Sequence, residues 1–166
     1  MKYSEVRDTI RSGDLVAFSH RGWKTWRDWK IQIIRFFTRS EYSHVGIAWV
    51  TNGRVMCLEA VVPKVRIFPL SKLGDFYLIP MQLDWTEELE EFALSIIGDN
   101  YSQVQAIQTF FSTPEFDKLW QCVEYVTAVF KKAGINISSR PTPTELVRTV
   151  QKILGKPTFY IENEAV

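Results

Sequence analysis

The sequence is poor in cysteine and histidine and lacks any long apolar run. With only two cysteines among 166 residues, the dense disulfide framework of a small secreted domain is excluded. We expect both thiols to be free in a reducing compartment, and a single structural disulfide is the alternative. No apolar stretch approaches the roughly 18 residues that indicate a membrane-spanning helix. The N-terminus, MKYSEVRDTI, is charged and has no apolar core of a secretory signal. These absences predict a soluble protein of the cytoplasm.

Potential metal ligands are also few. The two histidines and two cysteines do not have the spacing of any familiar zinc site, and we expect no metal and no other cofactor. The formal net charge is +1. Because a folded domain can mix its basic and acidic segments on one surface, this charge gives little evidence about partners.

The order of the predicted elements is typical of an α+β domain. Hydrophobic residues make up 46% of the chain, and no stretch has the composition of a linker, so we expect one domain over residues 1–166. Most strands precede most helices, without the alternation of a parallel sheet. The strands are predicted at 14–18, 44–50, 55–62, 64–68, 76–80 and 159–162. The helices are predicted at 4–10 (with Ser4 as N-cap), 24–39, 86–98, 101–111, 120–134 and 142–154.

The strongest local signal is a β-hairpin over residues 44–62, HVGIAWVTNGRVMCLEAVV. Its two apolar runs are joined at Asn52-Gly53, and this pair favours a type I′ turn because both central residues need positive φ. In such a turn Thr51 opposes Arg54, and the pairing of every other residue in the hairpin follows from that register.

The register brings a histidine and a glutamate together. Glu59 should face Gly46, and His44 should lie diagonally across from Glu59 on the same face, within reach of a long side chain. Gly46 has no side chain and should leave space above that face. A carboxylate beside an imidazole orients the ring and stabilises its charged form. The alternative is an ion pair on an edge strand that faces water.

The two cysteines differ in their predicted surroundings. Cys57 opposes Ala48, roughly 13 Å along the strand from His44, and is expected to be a core thiol. Cys122 lies near the start of a predicted helix, where free backbone N–H groups lower the pKa of a thiol. A nucleophilic cysteine needs a base and an orienting group, and Cys122, His44 and Glu59 can supply that set. Burial of Cys122 as a structural helix residue is the alternative.

An ordered set of motifs resembles one superfamily, the circularly permuted NlpC-type papain-like thiol hydrolases, especially the YiiX/YebB-like branch. The superfamily is related to the lecithin:retinol acyltransferase-like proteins. The resemblance covers about residues 12–148. It is carried, in order, by SGDLVAF, IQIIRFFTRSEYSHVGI, VMCLEAV, VRIFPL, GDNYSQ and WQCVEYVTAVFKKAGI.

The resemblance implies a permuted papain-like fold, a small antiparallel sheet or barrel packed against helices. In that family a histidine begins a strand, a polar residue lies on the next strand, and a cysteine heads a later helix. These positions match His44, Glu59 and Cys122. Two features depart from the pattern: Val123 stands where many members have serine, and the segment 21–39 is unusually long and aromatic.

By this resemblance the chain is expected to be a cysteine hydrolase. A Cys–His–Glu triad would form a thioester acyl-enzyme and cleave an amide or ester, in a cell-wall-type peptide or in a lipid acyl substrate. A lipid acyltransferase, or a non-catalytic module that binds an acyl chain or a protein partner, is the alternative.

Three aromatic residues are candidates for substrate binding. Tyr101 matches a tyrosine of the family, and Trp26 and Trp29 lie in the basic segment 21–39. This segment has a net charge of +5, from six Lys and Arg against Asp28. It can contact a membrane surface or an acyl chain, or simply pack as an amphipathic helix. Stacking on single-stranded nucleic acid is a weaker alternative, and we do not expect nucleic acid as a partner.

Overall fold

The computed structural model describes residues 1–19, 41–61, 64–98, 121–137, 141–155 and 157–164. The predicted helices at 24–39 and 101–111 lie outside these residues. So do three candidate substrate-binding residues, Trp26, Trp29 and Tyr101.

The described strands form one antiparallel sheet in the order β4-β3-β2-β1-β5-β6. The strands are β1 (Leu15–Phe18), β2 (His44–Thr51), β3 (Arg54–Val61), β4 (Lys64–Pro69), β5 (Phe76–Ile79) and β6 (Phe159–Ile161). Together with the helices, this sheet confirms the predicted α+β class. Of the two predicted forms, sheet or barrel, the described part is an open sheet with β4 and β6 at its edges. The papain-like assignment stays a prediction.

Within the described residues, four α-helices accompany the sheet: α1 (Tyr3–Val6), α2 (Glu87–Ser95), α3 (Gln121–Lys132) and α4 (Pro143–Leu154). The sequence sets the ends of α4 clearly. Thr142 and Glu145 form a reciprocal capping box, and Gly155 ends the helix in the left-handed conformation with φ 60°. Within the described residues, no helix is long and apolar enough to cross a membrane.

The first helix begins earlier than predicted. Its N-cap is Lys2, whose backbone N–H donates to the carboxylate of Glu5, and the proposed cap Ser4 lies inside the helix. The Ser4 hydroxyl instead donates to Glu164 Oε2 at 2.6 Å. The prediction for Ser4 was wrong because this tertiary contact with the end of the chain uses the hydroxyl that a cap would need.

The two faces of the sheet bury different cores. Val45, Ile47, Leu58 and Ala60 belong to the larger core, which includes the buried faces of α2, α3 and α4. The alternate positions of the same strands face a smaller core that contains Ala48 and Cys57 and is covered by α1 and the 3₁₀ turn at Leu70–Lys72. The helix α3 packs against both β2 and β3. This contact brings the start of α3 near the first residues of β2.

Candidate functional site

The hairpin has the predicted register. Pairing runs from Thr51–Arg54 to Ile47–Leu58, and Asn52 and Gly53 have φ of 47° and 69°. The paired strands are interior to the sheet. The register prediction is therefore confirmed, and the edge-strand alternative is wrong.

The space predicted above Gly46 is already occupied. A Cβ atom placed on Gly46 would lie 2.5 Å from Cys57 Sγ and 3.0 Å from the carbonyl oxygen of Leu58. The thiol of Cys57 fills this space because the diagonal geometry of the hairpin directs it across the strand towards the glycine. Gly46 therefore serves close packing with Cys57 and the Leu58 carbonyl.

His44 and Glu59 form the predicted pair. His44 Nε2 lies 2.7 Å from Glu59 Oε2. Glu59 is completely buried and His44 is 9% exposed, so the pair does not face water. With Nε2 held by the carboxylate, Nδ1 is the ring nitrogen left for a second partner.

The second partner of the ring is Cys122. Its thiol hydrogen-bonds the His44 side chain, although the two residues are far apart in the sequence. Cys122 is 6% exposed and occupies the second position of α3. The structure thus brings together the three residues that were predicted as a set, while their catalytic roles stay a prediction.

Two backbone N–H groups also donate to the sulfur of Cys122, those of Val123 and Val45. Val123 is in the first turn of α3, where N–H groups have no partner within the helix. The N–H of Val45 points towards β3, as does that of Ile47, because alternate residues of a strand bond to the same neighbour. However, the pairing of β2 with β3 ends at Ile47–Leu58. The N–H of Val45 is therefore available to the thiol.

The charges of the site reinforce one another. Burial raises the pKa of Cys122, but the neighbouring His44 and the two N–H groups outweigh it, and the pKa falls below the usual 9.0. Burial lowers the pKa of His44, and the sulfur of Cys122 and the carboxylate of Glu59 together raise it above the usual 6.5. Both shifts favour a thiolate beside an imidazolium ion, the reactive form of a cysteine nucleophile.

Glu59 has a further partner that the sequence reasoning missed. Arg66 stands directly opposite Glu59 on β4, and its Nε and Nη2 donate to Glu59 Oε1 at 2.8 and 2.6 Å. Burial raises the pKa of Glu59, but the bonds and charges of His44 and Arg66 hold it below the usual 4.5. The available signal was the pair of opposite charges at 59 and 66 on two predicted strands that follow each other closely in the sequence.

Cys57 has the opposite character. It is fully buried in the smaller core, and burial raises the pKa of its thiol well above 9.0. The prediction of a core thiol is confirmed. Both cysteines are free, as predicted.

Another buried carboxylate, Asp14, has a structural role. Its oxygens accept hydrogen bonds from the backbone N–H groups of Arg11 and Met81 at 2.8 and 2.9 Å. These hydrogen bonds connect the residue before β1 to Arg11 and Met81 and so stabilise the start of the strand. Within the described residues, no group of three or more His, Cys, Asp or Glu side chains is placed to hold a metal ion.

No protein-family model matches the chain, and no curated protein matches it. Among solved structures, the chain is similar to the metalloprotein yiiX from Escherichia coli O157:H7. That match has 21% identity, covers 76% of this chain and 68% of that chain, and has a TM-score of 0.49. At this level of similarity, the match establishes neither a shared activity nor a shared metal.

Proposed function

We propose that this chain is a cysteine hydrolase with Cys122 as nucleophile, His44 as base and acid, and Glu59 as the group that orients the ring. The observation that carries the proposal is the buried hydrogen-bonded series from Cys122 through His44 to Glu59. Its thiol has a lowered pKa and its imidazole a raised one. Such a pair supplies a thiolate at neutral pH without an external base.

The reaction would proceed in two steps. The Cys122 thiolate attacks the substrate carbonyl carbon, a C–S bond forms, and the carbonyl oxygen takes the negative charge. His44 gives its proton to the leaving amine or alcohol as the C–N or C–O bond breaks, which leaves a thioester. A water molecule then attacks the thioester carbon while His44 accepts one of its protons and the C–S bond breaks. The carboxylic acid leaves, and the thiolate–imidazolium pair is restored.

Backbone N–H groups at the start of α3 and of β2 are suited to the oxyanion of the tetrahedral intermediate. The N–H groups of Val123 and Val45 already donate to the sulfur, so they lie close to the carbon that it would attack. Fixed dipoles in a dry site stabilise developing charge more than water does, because they need no reorganisation.

The proposed substrate is an amide or ester, in a cell-wall-type peptide or in a lipid acyl group. The residues proposed to bind it, Tyr101, Trp26 and Trp29, lie outside the described residues. Contact of the segment 21–39 with a membrane surface is part of the same proposal. If an alcohol or amine replaces water in the second step, the same thioester makes the protein an acyltransferase.

A second candidate function is a non-catalytic module that binds an acyl chain or a protein partner. The low exposure of Cys122, 6%, favours it, because a nucleophile must be reached by a carbonyl group.

Acyl transfer to the protein distinguishes the two candidates. The purified chain would be incubated with p-nitrophenyl esters of two to twelve carbons and with peptide thioesters, then examined by intact mass. We expect one hydroxylamine-sensitive acyl adduct, which is lost in Cys122→Ala and kept in the matched variant Cys57→Ala. The preferred acyl group would separate a peptide from a lipid substrate. A folded protein with no adduct on Cys122 from any of these compounds would favour the binding module.

A further inference from the structure

The carboxylate of Glu59 lies between two cations, and its two oxygens are divided between them. Oε2 is bound to His44 Nε2, and Oε1 accepts two N–H groups from the guanidinium of Arg66. The direct pairing of Glu59 with Arg66 across β3 and β4 fixes this arrangement from the backbone. The two hydrogen bonds from Arg66 to Oε1 fix the orientation of the Glu59 carboxylate. They therefore also fix the direction in which Oε2 points, towards His44.

We propose that Arg66 is a positioning residue of the candidate catalytic set, which aims Glu59 at the His44 ring and neutralises the charge left in the buried site. The proposal rests on the proposed function, because its consequence is the reactivity of Cys122. Arg66 acts through Glu59 and needs no contact with the substrate.

Charge neutrality explains why the arginine matters. The thiolate of Cys122, the imidazolium of His44, the carboxylate of Glu59 and the guanidinium of Arg66 alternate in sign and sum to zero. Glu59 is fully buried, so water cannot solvate its charge, and a buried carboxylate without sufficient partners takes up a proton. Removing Arg66 would leave a net charge of −1 in the site.

Relief of that charge weakens the nucleophile. When the buried Glu59 takes up a proton, His44 loses the carboxylate that stabilises its charged form, and the proton returns from the ring to the sulfur. The fraction of Cys122 present as thiolate near pH 6 therefore falls.

Among the described residues, the titratable groups that act on Glu59 are His44 from β2, Arg66 from β4 and Cys57 from its own strand. Helix α3 adds Cys122, which faces His44, and Tyr125, which faces Cys57. Burial raises the pKa of Cys57 well above 9.0 and also raises that of Tyr125. Both therefore stay neutral between pH 5 and 8, and a pH profile there reports on the proposed charge series.

A purely structural role is the competing explanation. Arg66 also stacks over the Phe68 ring, 4.6 Å from its centroid, and its side chain is 39% exposed at the edge strand. A structural arginine would alter stability and leave the ionisation of Cys122 unchanged.

The test is the rate of Cys122 alkylation by iodoacetamide from pH 5 to 9, read by peptide mapping. In Arg66→Ala we expect the midpoint of the profile to rise by about one pH unit, which is about a tenfold slower reaction near pH 6. Arg66→Lys keeps the positive charge but lacks the two hydrogen bonds of the guanidinium, and we expect the midpoint to rise by less. Lys64→Ala removes an exposed cation from the same strand and should leave the profile unchanged.

The outcomes separate this proposal from the proposed function, because alkylation requires no turnover. The first outcome to consider is a parent whose alkylation midpoint lies below that of an ordinary thiol. If folded Arg66→Ala has the same midpoint as the parent, the role of Arg66 is overturned and the proposed function survives. If the parent thiol reacts like an ordinary one, both are overturned. Should Arg66→Ala fail to fold, the neutral variant Arg66→Gln decides in the same way, with circular dichroism as the check of folding.

Discussion

The two cysteines of this chain are both buried, yet their environments have opposite effects. Cys57 lies among apolar side chains of the smaller core, where burial, with a further contribution from the Glu59 carboxylate, raises the pKa of its thiol. Cys122 is also buried, but a histidine and two backbone N–H groups face its sulfur, and its pKa is lowered. Burial removes water in both cases. The groups that replace the water decide whether the thiol is inert or reactive.

The largest expected difference in alkylation rate is that between the two thiols in their reaction with iodoacetamide. Near pH 6–7 the folded protein should take up one equivalent, located on Cys122, at a rate about 100-fold or more above that of Cys57. Peptide mapping of the alkylated protein measures both rates, and the urea-unfolded chain, in which the two should react alike, is the control. Equal rates in the folded protein, or a label mainly on Cys57, would contradict the comparison and the assignment of the nucleophile.

Removing His44 should make Cys122 resemble Cys57. In His44→Ala the cation beside the sulfur is lost, so burial again dominates and the pKa of the thiol should rise. We expect alkylation near pH 6 to slow by about tenfold or more, and turnover of a model ester to fall by about 10²- to 10⁴-fold, since the base is also lost.

His20→Ala, which removes the other histidine of the chain, is the matched control for this effect. Parent-like alkylation of folded His44→Ala would mean that the N–H groups of Val45 and Val123 suffice to activate the thiol.

Glu59→Gln should have a smaller effect. Glutamine can still hydrogen-bond the ring but does not stabilise its positive charge, and one charge-assisted hydrogen bond is worth about 1.5–3 kcal/mol. We expect ester turnover to slow by roughly 10- to 100-fold with the fold retained, measured by initial rates beside circular dichroism. The exposed Glu88→Gln is the control. If turnover equals that of the parent, the ion pair with His44 has no role in the reaction.

Local signals in the sequence were sufficient for the hairpin but not for every contact in it. Asn52-Gly53 specifies a turn type, and the turn specifies the register that makes His44 and Glu59 neighbours. Likewise, capping residues specify the ends of α4. These features depend on residues close together in the chain. The expected proximity of Cys122 to His44 rested on the resemblance to a family, since no local pattern joins them.

The missed contacts depend on where separate elements meet. The contact of Arg66 with Glu59 follows from the pairing of β3 with β4. The N–H of Val45 can bond the Cys122 sulfur because the pairing of β2 with β3 ends at Ile47–Leu58. The space above Gly46 was misjudged because its filling depends on the direction of the Cys57 side chain. Composition and spacing describe which groups are present, but these contacts need coordinates in three dimensions.

The smallest expected effect concerns the packing of Cys57 itself. Gly46→Ala would put a methyl group 2.5 Å from Cys57 Sγ and 3.0 Å from the Leu58 carbonyl oxygen, so we expect the free energy of unfolding to fall by about 1–3 kcal/mol. Adding Cys57→Ala removes the nearer clash but leaves the backbone contact. The double variant should therefore be more stable than the sum of the single effects predicts, with a coupling of about 0.5 kcal/mol or more.

Urea unfolding of the parent, the two single variants and the double variant measures this coupling, and alkylation of Cys122 checks that its pKa is unchanged. Additive effects would mean that the Leu58 carbonyl, and not the thiol, sets the need for glycine at position 46. A coupling in the free energy of unfolding, with an unchanged alkylation profile of Cys122, would instead show that Cys57 acts through its volume alone. A side chain that only fills space affects packing and does not alter the charges of the neighbouring site.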